Sequence, residues 1–158
     1  HNWIDITRVG IWGHSGGGFA STRALLTFPN FYKVAVSQAG NHDNRNYADE
    51  WGEKYHGLEV IDEEGISNYD SQANQLSVDS LQGKLLIAHG TTDTNVPPYN
   101  TLIVVEALIK ANKDFDMLML PNRGHGFARE PYMMRKRWDY FVEHLMGATP
   151  PKEFQFSK

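Results

Sequence analysis

Short apolar runs separated by longer amphipathic stretches set the pattern of this chain. Arg8–Trp12, Lys33–Ser37, Leu85–Ala88 and Phe115–Leu120 are too short for helices and apolar on both faces, so they predict strands covered on both sides. Gly18–Phe28 predicts a helix stopped by Pro29-Asn30. Asn100–Ala111 predicts another, with Leu102, Val105 and Ile109 on one face. Tyr132–Met146 predicts a closing helix striped by Met134, Trp138, Phe141 and Leu145, with Gly147 just past its end. Strands alternating with helices predict βαβ units and a parallel sheet, an α/β fold.

Asn41–Gln82 breaks this rhythm. It is long, polar and rich in Asn, Asp and Glu, with one compact aromatic cluster at Tyr47, Trp51 and Tyr55. The segment predicts a helical excursion followed by a connecting helix near Tyr69–Leu76. Ile61-Asp62-Glu63-Glu64-Gly65 reads as a solvated acidic turn. The chain shows no internal repeat and no low-complexity tract.

Length and composition narrow the function classes. The 158 residues suffice for one domain with one core, 1–158. Hydrophobic and charged contents of 41% and 22% are those of an ordinary globular protein. A net charge of −4 gives no basic footprint for nucleic acid. No apolar run is long enough to span a bilayer. The absence of cysteine excludes disulfides, thiolate catalysis and cysteine metal sites. His42 and Asp43 adjoin, but no second histidine stands at ligand spacing, so neither metal nor organic cofactor is expected. The first residue is His1, which suggests processing or a piece of a longer chain.

The strongest chemical signal is Gly13-His14-Ser15-Gly16-Gly17-Gly18, directly after the first strand. A serine on a sharp strand-to-helix turn adopts a strained backbone that lifts its hydroxyl above the sheet. Side chains at Gly13 and Gly17 are expected to collide across such a turn. A nucleophilic serine needs a histidine base and an acid to orient it, each at the carboxyl end of a strand. Of the seven histidines, His144 lies on the last helix, His1 is terminal, and His89 reads as a buried strand end. His14 adjoins the serine, but its backbone position is expected to turn its side chain away. His42 and His56 read as surface or pocket-lining polar residues. His125 remains, in Gly124-His125-Gly126 just past the fourth strand. Asp93, past the third strand, is the matching acid, and Asp43, past the second, is the runner-up. The order Ser15, Asp93, His125 is that of α/β-hydrolases.

These residues make the chain resemble the C-terminal catalytic part of the prolyl oligopeptidase family, and within it the dipeptidyl peptidase IV branch. The resemblance rests on Trp3-Ile4-Asp5, on Arg8–Gly18, on His89-Gly90-Thr91-Thr92-Asp93-Thr94-Asn95-Val96, on Gly124-His125-Gly126 and on Trp138-Asp139-Tyr140-Phe141. It implies Ser15 as nucleophile, His125 as general base and then acid, and Asp93 as its orienter. It also implies the Gly16 N–H as one oxyanion-hole donor, and Asn95, Val96, Tyr47 and Trp51 as substrate contacts. The implied substrate is a peptide, and the implied setting is periplasmic or secreted.

The same resemblance assigns a second oxyanion donor (a tyrosine hydroxyl), a β-propeller and the acidic residues that hold a substrate's amino terminus to an upstream part. The 158-residue piece is therefore expected to be weakly active or inactive, and an unpaired first strand is expected to drive homo-oligomerisation, such as a dimer. Two departures stand out. Gln38-Ala39-Gly40-Asn41-His42 occupies the place where proline-specific members carry an aromatic, so strict proline preference does not carry over. Gly16 replaces a residue that is often bulky, which is expected to widen the site. An ester hydrolase of the same fold, or a binding module with a relic triad, are the competing readings.

Overall fold

The computed structural model describes residues 3–156. Four parallel strands, β1 (Val9–His14), β2 (Tyr32–Gln38), β3 (Lys84–Gly90) and β4 (Asp116–Leu120), form one sheet in the order β1-β2-β3-β4. Helices α1 (Gly16–Thr27), α2 (Asp49–His56), α3 (Tyr99–Lys110) and α4 (Pro131–His144) complete the elements. Each strand runs toward the same end of the sheet, so the turns that follow β1, β3 and β4 gather there.

Two apolar layers sandwich the sheet, as the two-faced strand pattern requires. On one face Leu25 and Leu26 of α1 and Val104, Val105 and Leu108 of α3 pack on Ala35, Leu85 and Ile87. On the other, Met133 and Tyr140 of α4 pack with Phe127 on Val34, Val36, Leu86 and Ala88. β2 and β3 are buried, whereas β1 is an edge strand and its Trp12 is half exposed.

The two helical stripes differ from expectation by about one residue. In α3 the buried positions are Thr101, Val104, Val105 and Leu108, while Leu102 and Ile109 face solvent. Thr101 belongs inside because its hydroxyl bonds the buried His89 ring at 2.8 Å. In α4 the buried positions are Met133, Arg137 and Tyr140, while Trp138 is exposed. Arg137 displaces the expected stripe because its guanidinium lies 3.7 Å over the Trp12 ring, a cation–π contact. A hydrophobicity count scores that arginine as an outward residue.

The excursion behind β2 is mostly buried at its root. Asn41, His42, Asp43 and Asn44 are all buried. α2 carries the aromatic cluster, and the connecting segment is 3₁₀ rather than α, over Asp70–Gln72 and Asn74–Ser80. The acidic stretch is an exposed turn, with Gly65 at φ 80° and an isolated bridge between Ile61 and Ser67. No helix among the described residues is long and apolar enough to cross a membrane.

Candidate active site

Ser15 stands between β1 and α1 at φ 59° and ψ −125°. A non-glycine residue holds such a conformation only when its surroundings over-determine it. Here the Ser15 N–H donates to the Gln38 carbonyl at 2.8 Å, and the Ser15 carbonyl accepts from the N–H groups of Gly18 and Phe19 at 2.8 and 3.1 Å. The Gly16 N–H follows at the helix start, where backbone donors lack intrahelical partners. A Cβ at Gly13 would lie 2.0 Å from the Gly17 carbonyl oxygen, as expected. Gly17 itself faces open space, contrary to expectation. The later glycine that the turn requires is Gly18, whose Cβ would come within 2.4 Å of the Gln38 oxygen, because α1 presses on β2 there.

The turns behind β3 and β4 are laced backbone to backbone. Thr91 N–H donates to the Leu120 carbonyl and Thr92 N–H to the Arg123 carbonyl, both at 3.0 Å. This registry carries Asp93 to His125: the His125 Nδ1–H donates to Asp93 Oδ2 at 2.7 Å. A carboxylate oxygen only accepts, so Nδ1 carries a proton, and in the neutral ring the lone pair is then at Nε2. Asp93 Oδ1 accepts from the N–H groups of Asn95 and Val96, both at 3.0 Å. The Asp93 side chain is fully shielded from solvent and that of His125 only partly. Ser15 Oγ makes no hydrogen bond among the described residues; such contacts commonly tighten only around substrate.

Two histidines flank this pair. His89 is fully buried, with Nε2 2.8 Å from the Val96 carbonyl and 3.3 Å from Asp93 Oδ2. Burial pushes its pKa below the ordinary imidazole value despite the Val96 carbonyl and Asp93. His89 thus stands beside the same carboxylate oxygen that His125 engages, anchored by the Val96 carbonyl. His14 does not turn away: its ring centroid lies 4.7 Å from that of His125, tilted by 49°. The reason is register, since His14 shares a sheet face with Trp12 and Gly10, and that face leads to Phe127 and the His125 turn.

The excursion reaches over the same end of the sheet. Tyr47 OH donates to Asn95 Oδ1 at 2.8 Å, and the ring of Trp51 lies 6.2 Å from that of Tyr47. A Cβ on Gly16 would stand 2.9 Å from Trp51 Cζ2. The space beside the serine is therefore filled by Trp51 rather than widened. Val96, expected to touch substrate, is instead fully buried. Its side chain packs the turn, while its N–H and C=O hold Asp93 and His89. The runner-up acid Asp43 is paired with Arg45 and has no histidine partner among the described residues. His42 accepts from Asn74 Nδ2 at 3.0 Å in full burial, and His56 pairs with Asn44 at 2.7 Å. His144 meets Tyr140 edge-on at 4.3 Å, and His1 lies outside the described residues. Among the described residues, no cluster of three or more His, Cys, Asp or Glu is placed to hold a metal ion.

Similar proteins are much longer chains. Mouse prolyl endopeptidase FAP is 28% identical over 127 residues, 80% of this chain and 17% of its own. Venom dipeptidyl peptidase 4 of Apis mellifera is 30% identical over 149 residues, 93% of this chain and 19% of its own. The crystal structure of Porphyromonas gingivalis dipeptidyl peptidase 4 superposes with a TM-score of 0.80 at 29% identity, covering 90% of this chain and 20% of that one. This chain thus spans about a fifth of the length of its relatives. Residues 1–148 match the sequence profile of the prolyl oligopeptidase family, and with the α/β-hydrolase architecture of its structural neighbours this makes the chain a member of that family.

Proposed function

We propose that this chain is the catalytic domain of a serine peptidase of the dipeptidyl peptidase IV type, with Ser15, His125 and Asp93 as its triad. The observation that carries the reading is the 2.7 Å bond between His125 and the buried Asp93, behind strands that run to the same sheet end as the turn holding Ser15 at positive φ. Ser15 Oγ attacks a peptide carbonyl while its proton passes to His125 Nε2. Asp93 keeps the Nδ1–H in place and stabilises the imidazolium. The Gly16 N–H faces the developing oxyanion. Collapse breaks the C–N bond as His125 returns the proton to the leaving amine, and water repeats the sequence on the acyl-enzyme.

Tyr47, Trp51 and Asn95 form the substrate-facing wall in this reading, with the Tyr47–Asn95 bond tying the excursion to the acid's turn. The second oxyanion donor and the groups that hold a substrate's amino terminus belong to the rest of the protein. One missing donor costs about 2.7–4 kcal/mol of transition-state stabilisation, so the 158-residue chain hydrolyses peptides weakly or not at all. A periplasmic or secreted setting fits this class of enzyme. Association into a homodimer uses the open edge of β1, which among the described residues pairs only with β2. Sedimentation at micromolar concentration then shows a dimer, and a clean monomer overturns that part.

A fluorophosphonate probe tests the central claim, because it requires an activated serine and no substrate pocket. Covalent labelling at Ser15, abolished in a folded Ser15→Ala variant, is the expected result. A folded chain that stays unlabelled favours a relic triad on a binding module.

A further inference from the structure

Beside the proposed base lies a polar pair that the reaction above does not use. His14 ends β1, and Gln38 is its register partner at the end of β2. Both face α4. Alternate residues Gly10 and Trp12 of β1 meet Phe141 and Arg137, and Val34 and Val36 of β2 lie in the core on that side. Gln38 is fully buried, yet neither polar atom of its side-chain amide has a hydrogen-bond partner among the described residues. His14 Nδ1 is likewise buried and unpartnered. A buried polar group without a partner loses its hydration for nothing in return, so two such residues side by side call for an explanation. The ring of His14 meets Phe127 edge-on at 5.5 Å and His125 at 4.7 Å.

We propose that His14 is a positioning residue for His125, with the Gln38 amide setting its tautomer; this rests on reading His125 as the base. Neighbouring strands are about 4.8 Å apart, so a side-chain rotation lets Gln38 Nε2–H donate to His14 Nδ1. His14 then carries its proton on Nε2, and the backbone of His125 favours a proton on His14. Burial first, and the neighbouring His125 second, push the pKa of His14 below the ordinary imidazole value; Asp93 opposes this and His89 adds to it. A neutral ring can brace His125 against Asp93 and stay in contact as His125 becomes imidazolium. A charged ring there would repel it.

Imidazole ¹⁵N NMR and fluorophosphonate labelling of the 158-residue chain test this together. Gln38→Leu removes the donor at similar volume. Its expected result is a rise of the Nδ1–H tautomer of His14, an unchanged or raised unfolding midpoint, and slower labelling of Ser15. His14→Phe keeps the ring and its Phe127 contact. It is expected to slow labelling about tenfold or more and to move the pH midpoint of labelling, since misplaced reacting groups are costly at sub-ångström scale. An unchanged His14 tautomer in Gln38→Leu, or wild-type rate and pH midpoint in folded His14→Phe, overturns the proposal. A folded wild-type chain that is never labelled sinks the peptidase reading instead, and the NMR comparison still decides whether Gln38 sets the His14 tautomer.

Discussion

Two buried aspartates stand near strand ends on the same side of this sheet. Asp93, behind β3, and Asp43, behind β2, are 4% and 1% exposed. Asp93 gives one oxygen to backbone N–H groups and the other to His125, whose second nitrogen remains free. Asp43 is enclosed by donors: Arg45 binds both its oxygens, at 2.9 and 2.7 Å, while Asn46 and Gln75 add side-chain bonds and Arg45 also reaches Asp70. Burial raises the pKa of Asp43, but the hydrogen bonds of Arg45 and Gln75 outweigh it and hold the carboxyl below its usual range. A guanidinium has no proton to exchange near neutral pH, so the Asp43 pair can only brace the excursion. An imidazole can pass its proton on. The same residue type, equally buried, is chemical in one place and structural in the other because of its partner.

Substituting each aspartate separates the two roles. Asp93→Asn is expected to lower the rate of fluorophosphonate labelling at Ser15 by about 10³-fold or more, because the amide presents the wrong tautomer to His125. Its unfolding midpoint should move little, since the side chain keeps its size and an oxygen for the Asn95 and Val96 N–H groups. A loss of labelling no greater than tenfold in the folded variant would break the comparison on the chemical side.

Asp43→Ala should reverse that profile. Removing one partner of a buried pair costs about 3 kcal/mol, at the low end because Arg45 keeps some contact with solvent. Urea unfolding measures it, and labelling per folded molecule should hold within a few-fold. If labelling collapses while the fold survives, the excursion is part of the chemistry after all.

The same contrast explains what could be read from the chain. Ser15, Asp93 and His125 sit in short glycine-bounded turns directly after apolar strands, so motif and position point to them together. The parallel order followed from strands alternating with helices. The root of the excursion was opaque because Asn41, His42, Asp43, Asn44 and Asn74 look solvated by composition, and it is hydrogen bonds among them and to Arg45, Asn46, His56 and Gln75 that make burial tolerable. Trp51 over Gly16 was hidden for a related reason: the two meet only after the chain has doubled back. The stripes of α3 and α4 slipped because Thr101 and Arg137 are polar residues that face inward.

His42 offers the smallest and most selective test of the excursion. It is fully buried and neutral, accepting from Asn74, and desolvation, with a lesser contribution from His89, lowers its pKa from 6.5 to about 3. Below the unfolded value the denatured chain binds a proton that the native chain refuses. The unfolding free energy is therefore unaffected by His42 above about pH 6.5 and falls as the pH drops toward 3. One such proton corresponds to about 1.4 kcal/mol per pH unit at most. His42→Gln keeps an acceptor for Asn74 and cannot titrate, so its stability should decline less steeply between pH 6 and pH 4, roughly the interior of the window bounded by those two pKa values. Most of the slope that remains above pH 4 belongs to His14 and His89, whose pKa values burial also lowers and which lie beside Asp93 and His125, while carboxylates held below their usual range, Asp43 among them, add to it toward pH 4. Equal slopes for wild type and His42→Gln would mean that acid acts first on the turns that carry the proposed acid and base, and that the excursion is the more acid-resistant of the two regions.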